Sequence, residues 1–319
     1  MHADDVNKFL SYFLTAISYS FAIPFFYIVI FKSPPSIRVY KSTILNLALW
    51  DIIAMGSYTI FLQPVYTLLP NKSCARFVGL VSYFGIETNV AVMYLTVISG
   101  QNAIVAIIIC FFYRYDQMSC LNKRSFMESW KGILLCVVLH VTISMFSAGL
   151  AYVFLLGGEM TENNGTFLLC YHDDIYHIVK TVALVALISL VAQSIMFVGL
   201  PSITIRRLRS QKAMMNKRTY RLQQLLTINL VILLIFPIVF DVIPFCSFCY
   251  AVYTKSESLY FWVSLIGHTP AGDVILTFAT TLCFVTPYRE AVKKILWKRN
   301  TVTPVTVACC SAVSAKSSS

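Results

Sequence analysis

Residues 132–156 read GILLCVVLHVTISMFSAGLAYVFLL, a stretch without Asp, Glu, Lys or Arg and with one histidine, His140. As a helix rising about 1.5 Å per residue it is roughly 37 Å long, enough to cross a hydrocarbon layer of roughly 30 Å. Six more apolar runs lie at 9–31, 43–69, 77–112, 178–205, 222–248 and 259–285. The longest, 77–112, would be about 54 Å as one helix and overshoots the bilayer. Gly79 and Gly85 offer bends. We therefore read 77–86 as an outer loop or short surface helix and about 87–113 as the third span. The expectation is an all-α membrane protein with a seven-helix bundle at 1–298 and spans at about 9–31, 43–69, 87–113, 132–156, 178–205, 222–248 and 259–285.

Composition agrees. Of 319 residues 58% are hydrophobic and 12% charged, against about a quarter charged in a soluble domain. The formal net charge of +11 does not point to nucleic acid, because the basic residues gather in loops between apolar runs, where an anionic membrane face explains them. Met1–Lys8 carries Asp4 and Asp5 and leads into a run too long for the core of a cleavable signal. The ten cysteines show no metal-ligand spacing, and no metal is expected. The string from His172 to His177, with Asp173 and Asp174, reads as a solvated loop.

Orientation follows from Lys and Arg in short loops. Twenty of the 25 lie in the first, third and fifth loops and the tail, which makes that side cytoplasmic and the N-terminus external. The glycosylation triplets at Asn71 and Asn164 both fall in external loops. So do Cys74 and Cys170, the preferred disulfide pair, with Cys249 near the outer end of the sixth span as the competing partner.

Ionisable groups inside a membrane cost about 2.5–3.5 kcal/mol on insertion scales and need a partner or a function. Asp51 and Asp273 fall near mid-membrane and, with Asn46, form a candidate polar network. Two close carboxylates need a shared proton or a cation such as sodium; each bonding to a neighbouring helix is the equal alternative. Tyr83, Glu87, Asn89, Tyr94, Asp241 and His268 share an outer layer and form the candidate ligand pocket, although aromatics gather at interfaces anyway and Asp241, between Pro237 and Pro244, has a structural use at a kink.

On the inner side, Arg206, Arg207 and Arg209 begin a basic loop between the fifth and sixth spans. Tyr288, Ala291, Val292, Ile295 and Leu296 share a helix face opposite charge, so 288–298 is expected to be a short interfacial helix in contact with membrane lipid. Residues 299–319, rich in Ser and Thr, read as a disordered cytoplasmic tail open to phosphorylation, and Cys309 and Cys310 are weak candidates for palmitoylation.

Seven spans with an external N-terminus resemble a G-protein-coupled receptor. Asn46-Leu47-Ala48-Leu49-Trp50-Asp51 matches the NLAxxD pattern of rhodopsin-like receptors, and Tyr113-Arg114-Tyr115 is similar to their D/E-R-Y. The acid of that triplet is missing, which leaves open whether an acid holds Arg114 at rest. The NPxxY pattern is also absent; the corresponding end reads Thr286-Pro287-Tyr288-Arg289. The strings 79–85 (GLVSYFG), 112–116 (FYRYD), 217–223 (KRTYRLQ) and 287–289 (PYR) resemble nematode chemoreceptors, in particular serpentine receptor class H of the Str superfamily. That resemblance implies a plasma-membrane chemosensory receptor, in sensory cilia, for a small external molecule, signalling through a heterotrimeric G protein with Arg114 and the basic loop at the coupling face. No catalytic residue is expected. An ion channel or transporter would want polar pore rings or paired broken helices, and neither is evident. An intramembrane aspartyl protease would use Asp241 and Asp273, but Pro270 breaks the GxGD string.

Overall fold

Hydropathy sets the architecture, and the computed structural model describes it for residues 3–33, 38–69, 72–119, 126–163, 166–172, 176–213, 216–254 and 256–296. The helices are α1 (Ala3–Phe31), α2 (Arg38–Gly56), α3 (Ile86–Ser119), α4 (Trp130–Leu156), α5 (Tyr176–Ser210), α6 (Lys217–Pro237), α7 (Ile243–Thr254), α8 (Glu257–Ile266), α9 (Thr269–Phe284) and α10 (Thr286–Leu296). Six helical stretches are long and apolar enough to cross a membrane, and Trp262–Phe284 with its bent continuation makes the seventh. A π-turn at Ile238–Val242 joins α6 to α7 within the sixth span. It lies between Pro237 and Pro244, where the missing amide hydrogens interrupt the helical ladder.

The second span ends earlier than the hydropathy run suggests. After α2 a π-turn covers Ser57–Leu62, and Gln63 then takes a left-handed backbone with φ 45. Its side chain donates to the Thr59 carbonyl at 2.8 Å. Pro64 follows, and the clash of its ring with the preceding residue disfavours helix there. Residues 64–69 therefore leave the span as a strand.

That strand belongs to an antiparallel sheet the sequence reading did not foresee. Strands β1 (Pro64–Leu69), β2 (Lys72–Phe77), β3 (Glu159–Asn163) and β4 (Thr166–His172) pair in the order β1-β2-β4-β3. Phe167, Leu169 and Tyr171 alternate inward from β4 and pack with Leu62, Phe77, Val81 and Val179. The Tyr66 amide donates to Ser264 Oγ at 2.9 Å, and Tyr260 donates to Ser73 at 3.3 Å. These bonds fix the sheet to the seventh span, so it caps the outer mouth. Between sheet and third span, residues 80–83 form one 3-10 turn. A Cβ on Gly79 would lie 2.2 Å from the Phe61 carbonyl oxygen, so only glycine permits this approach.

The main core lies in the inner half, where Phe25, Ile44, Leu47, Cys110, Phe111, Leu230 and Phe278 are buried together. Phe25 and Phe278 stack with centroids 4.5 Å apart. α3 runs through the centre against α2, α4, α5 and α6. α4 is the opposite case, with only Gly132, Ser147 and Ala151 buried. α10 turns 93° from the seventh span; Tyr288 is buried while Lys293 and Lys294 are exposed.

Candidate functional site

Arg114 sits near the inner end of α3 and is 1% exposed. Nη1 donates to Gln117 Oε1 at 3.1 Å, and Nη2 donates to the Gln223 backbone carbonyl of α6 at 3.1 Å. The Tyr40 ring lies beneath the guanidinium at 5.8 Å. Among the described residues Arg114 makes no ion pair, and its Nε has no hydrogen-bond partner. Tyr113, in the place of the missing acid, points its hydroxyl to Glu128 at 3.4 Å. Asp116 accepts from the Met127 amide at 2.9 Å. Arg206, Arg207 and Arg209, at the end of α5, are exposed. The inner face thus combines one buried cation at the α3–α6 contact with exposed cations around it.

At mid-membrane the polar residues divide into two groups. Asn46 turns to α4, where its Nδ2 lies 3.1 Å from His140 Nε2. His140 Nδ1 meets Asn102 Oδ1 at 2.6 Å, and Asn102 donates to Ser144 Oγ at 2.8 Å. Since the amide of Asn46 donates and the carbonyl of Asn102 accepts, the ring is a neutral imidazole protonated at Nδ1. Trp50 stacks on it with centroids 5.6 Å apart. α4, otherwise apolar, is joined here to α2 and α3.

The second group is acidic. Asp51 and Asp273 are each 7% exposed. They interact electrostatically with each other and with Asp241 of the π-turn. Thr277 donates to Asp273 at 3.4 Å. Asp241 therefore faces the mid-membrane pair, and Thr269 of α9 donates to the carbonyl of its neighbour Phe240 at 2.8 Å. Two buried carboxylates, with a third, half-buried, interacting with both, favour an added proton or cation between them.

The outer candidates do not converge. Tyr83 is 83% exposed, and Glu87 is exposed at the start of α3. Asn89 is buried and donates to the Val81 carbonyl at 3.1 Å. Tyr94 is half-buried. His268 is buried against α1, with Ser11 at 3.0 Å and Asn7 at 2.8 Å. Between the outer halves of the sixth and seventh spans lies an open apolar groove of about 390 Å3, lined by Ile243, Cys246, Tyr250, Trp262 and Ile266 among others.

Cys74 and Cys170 are bonded, and Cys249 is a free buried thiol. Beside the bond, Glu159 accepts from His172 at 3.1 Å and meets Lys72 at 3.6 Å. The His172 hydrogen bond, then the Lys72 charge, hold this carboxyl below its ordinary value. Asn71, Asn164, Asp173, Asp174 and the tail 299–319 lie outside the described residues. Tyr40, Asn102, His140 and Asn229 carry polar contacts that sequence reasoning missed.

A family model described as "Serpentine type 7TM GPCR chemoreceptor Srh" matches residues 2–298. No curated protein matches. Among solved structures, squid rhodopsin superimposes with a TM-score of 0.62 over 92% of this chain and 86% of that one, at 13% identity. That identity carries the fold alone.

Proposed function

Because the chain belongs to the serpentine type 7TM GPCR chemoreceptor family Srh, we propose that it detects a small external molecule and passes the signal to a heterotrimeric G protein at its inner face. It is a multi-pass membrane protein. The observation that carries the coupling step is Arg114, a buried cation bonded across to the α6 backbone at Gln223. A buried charge joining two helix ends is a two-position element: separating α3 from α6 breaks its bonds and opens the inner face. Arg206, Arg207 and Arg209 supply an exposed positive rim that draws an acidic partner surface.

On the ligand side the reading rests on Asp241. It belongs to a π-turn, an irregular segment of the kind that occurs at functional sites, and it faces Asp51 and Asp273. A ligand reaching the sixth span from outside then acts on the charge balance of this trio, which holds a proton or a sodium ion. Tyr83, Glu87 and Tyr94, exposed or half-buried on the outer side, are where an approaching ligand first meets the chain, and Asn89 and His268 support the helices behind them. Its proposed place of work is the plasma membrane of sensory cilia.

The test is nucleotide exchange on a purified heterotrimer by the receptor in lipid nanodiscs, with pools of small volatile and water-soluble compounds. The expected result is exchange stimulated by at least one pool and absent with Arg114→Ala. A correctly folded receptor that passes ions across the bilayer and never stimulates exchange overturns the reading.

A further inference from the structure

We propose that Tyr40 is the positioning residue that holds α3 and α6 together in the resting receptor, through neutral contacts where an ion pair would be expected. The inference rests on the coupling role given above to Arg114 and names the group that restrains it. Arg114 cannot shed its proton, and a buried guanidinium needs compensation. Among the described residues no carboxylate pairs with it; Glu128 receives the Tyr113 hydroxyl and Asp116 the Met127 amide. What faces the guanidinium is the Gln117 amide, the Gln223 carbonyl and the Tyr40 ring. A ring face attracts a cation through its quadrupole, most strongly when water is excluded.

Tyr40 reaches both moving parts. It lies in α2, is 2% exposed, and places its ring under the α3 arginine. Its hydroxyl accepts from Asn229 Nδ2 of α6 at 3.0 Å. α6 is therefore held at two points six residues apart, roughly 9 Å along the helix. One is the backbone of Gln223, which side-chain substitution cannot delete, and the other is Asn229. The Asn229 Oδ1 and the Arg114 Nε lack hydrogen-bond partners, so the contact is incompletely satisfied. A clasp of this kind releases more readily than a bidentate ion pair.

The experiment uses the full chain and three variants, two at Tyr40 and one at Asn229. Tyr40→Phe keeps the ring under Arg114 and loses the acceptor for Asn229; Tyr40→Leu loses both. Ligand-independent G-protein signalling, normalised to surface expression, is expected to rise several-fold in Tyr40→Leu and less in Tyr40→Phe, with Asn229→Leu matching the latter. Amide hydrogen exchange in the inner half of α6, Lys217–Leu226, is expected to quicken in the same order while the outer sheet and α9 stay as in wild type. Exchange that quickens throughout the bundle makes Tyr40 ordinary packing and overturns the proposal. So does unchanged exchange in α6 for Tyr40→Leu at normal surface expression. Quickening confined to α6 without signalling from any variant upholds the clasp and removes the coupling role of this face instead.

Discussion

Cys74 and Cys170 stand directly opposite each other in β2 and β4, with Cα atoms 4.1 Å apart and a sequence separation of 96. Close opposition of this kind belongs to the non-hydrogen-bonded pairs of an antiparallel ladder, where side chains come nearest. The bond therefore reinforces an existing register. It joins the approach to the third span with the loop between the fourth and fifth spans, and so fixes the cap over the outer mouth.

Cutting that bond should destabilise the receptor by about 2–5 kcal/mol, because it closes a long loop in the unfolded chain. Cys170→Ser is expected to lower the melting temperature of detergent-purified receptor and reduce surface expression, and Cys74→Ser should do the same without adding to it. Equal melting of wild type and either variant under non-reducing conditions would count against the sheet as a stabilising cap.

Why the spans were legible and the cap was not has a physical reason. A spanning helix satisfies its own backbone, so its signal is local and sits in runs such as 132–156. A strand is satisfied by partners far away: β2 pairs with β4 across the length of α3 and α4. Only the alternation of Phe167, Leu169 and Tyr171 was available, over too few residues to decide. One boundary was readable, since Gln63-Pro64 marks the end of a helix inside an apolar run. In the site, Arg114 and the acids stood out because charge in a membrane is conspicuous. Tyr40 did not, lying in a basic inner segment where an aromatic residue needs no explanation, and the partners of His140 lie on two other helices.

The outer edge of the cap should respond to acid. The His172 bond and the Lys72 charge hold the Glu159 carboxyl below its ordinary value, so its stabilising contribution is present above the unfolded-state value and lost as pH falls through the folded one. Wild type should melt slightly higher than Glu159→Gln near neutral pH, with the gap closing below about pH 4.3, the ordinary Glu value. A gap that widens on acidification has the wrong sign. The effect is small, because the group is exposed and screened.

His140 should matter more than its half-exposed position suggests. Its ring joins Asn46 of α2 to Asn102 of α3, while most of α4 faces lipid. Hydrogen bonds between membrane helices average about 0.6 kcal/mol and reach about 1.7, so His140→Leu, losing two, should cost about 1–3 kcal/mol. The measurement is unfolding of the purified receptor, with His140→Asn recovering part of the loss. A His140→Leu receptor as stable as wild type removes the seam from the fold's supports.

The acidic trio predicts a gain from neutralisation. Asp51 and Asp273 are buried and interact with each other and with Asp241, and like charges in a low dielectric oppose each other. In sodium-free buffer, Asp51→Asn or Asp273→Asn should melt higher than wild type. Adding sodium should narrow that difference if the ion neutralises the site, and leave it unchanged if a proton already does. Lower melting of both variants in sodium-free buffer contradicts the shared-charge reading.

The two kinds of inner cation should fail differently, and salt separates them. Arg206, Arg207 and Arg209 are exposed, so they act on an approaching partner through water, over a screening length of about 8 Å at physiological ionic strength. Neutralising all three should weaken coupling several-fold at low salt and by little at high salt, with ligand binding unchanged. Arg114 is buried and bonded to the α6 backbone, where added salt barely reaches. Arg114→Ala should therefore abolish stimulated nucleotide exchange at every salt concentration while leaving ligand binding largely present. Asp241→Asn should do the reverse, shifting ligand affinity at least several-fold with exchange still reached at saturation. Surface expression and melting must accompany each measurement, because removing a buried charge also acts through folding. If Arg114→Ala couples normally at equal expression, Tyr113-Arg114-Tyr115 is a structural anchor of α3, and the receptor meets its G protein through the exposed rim alone.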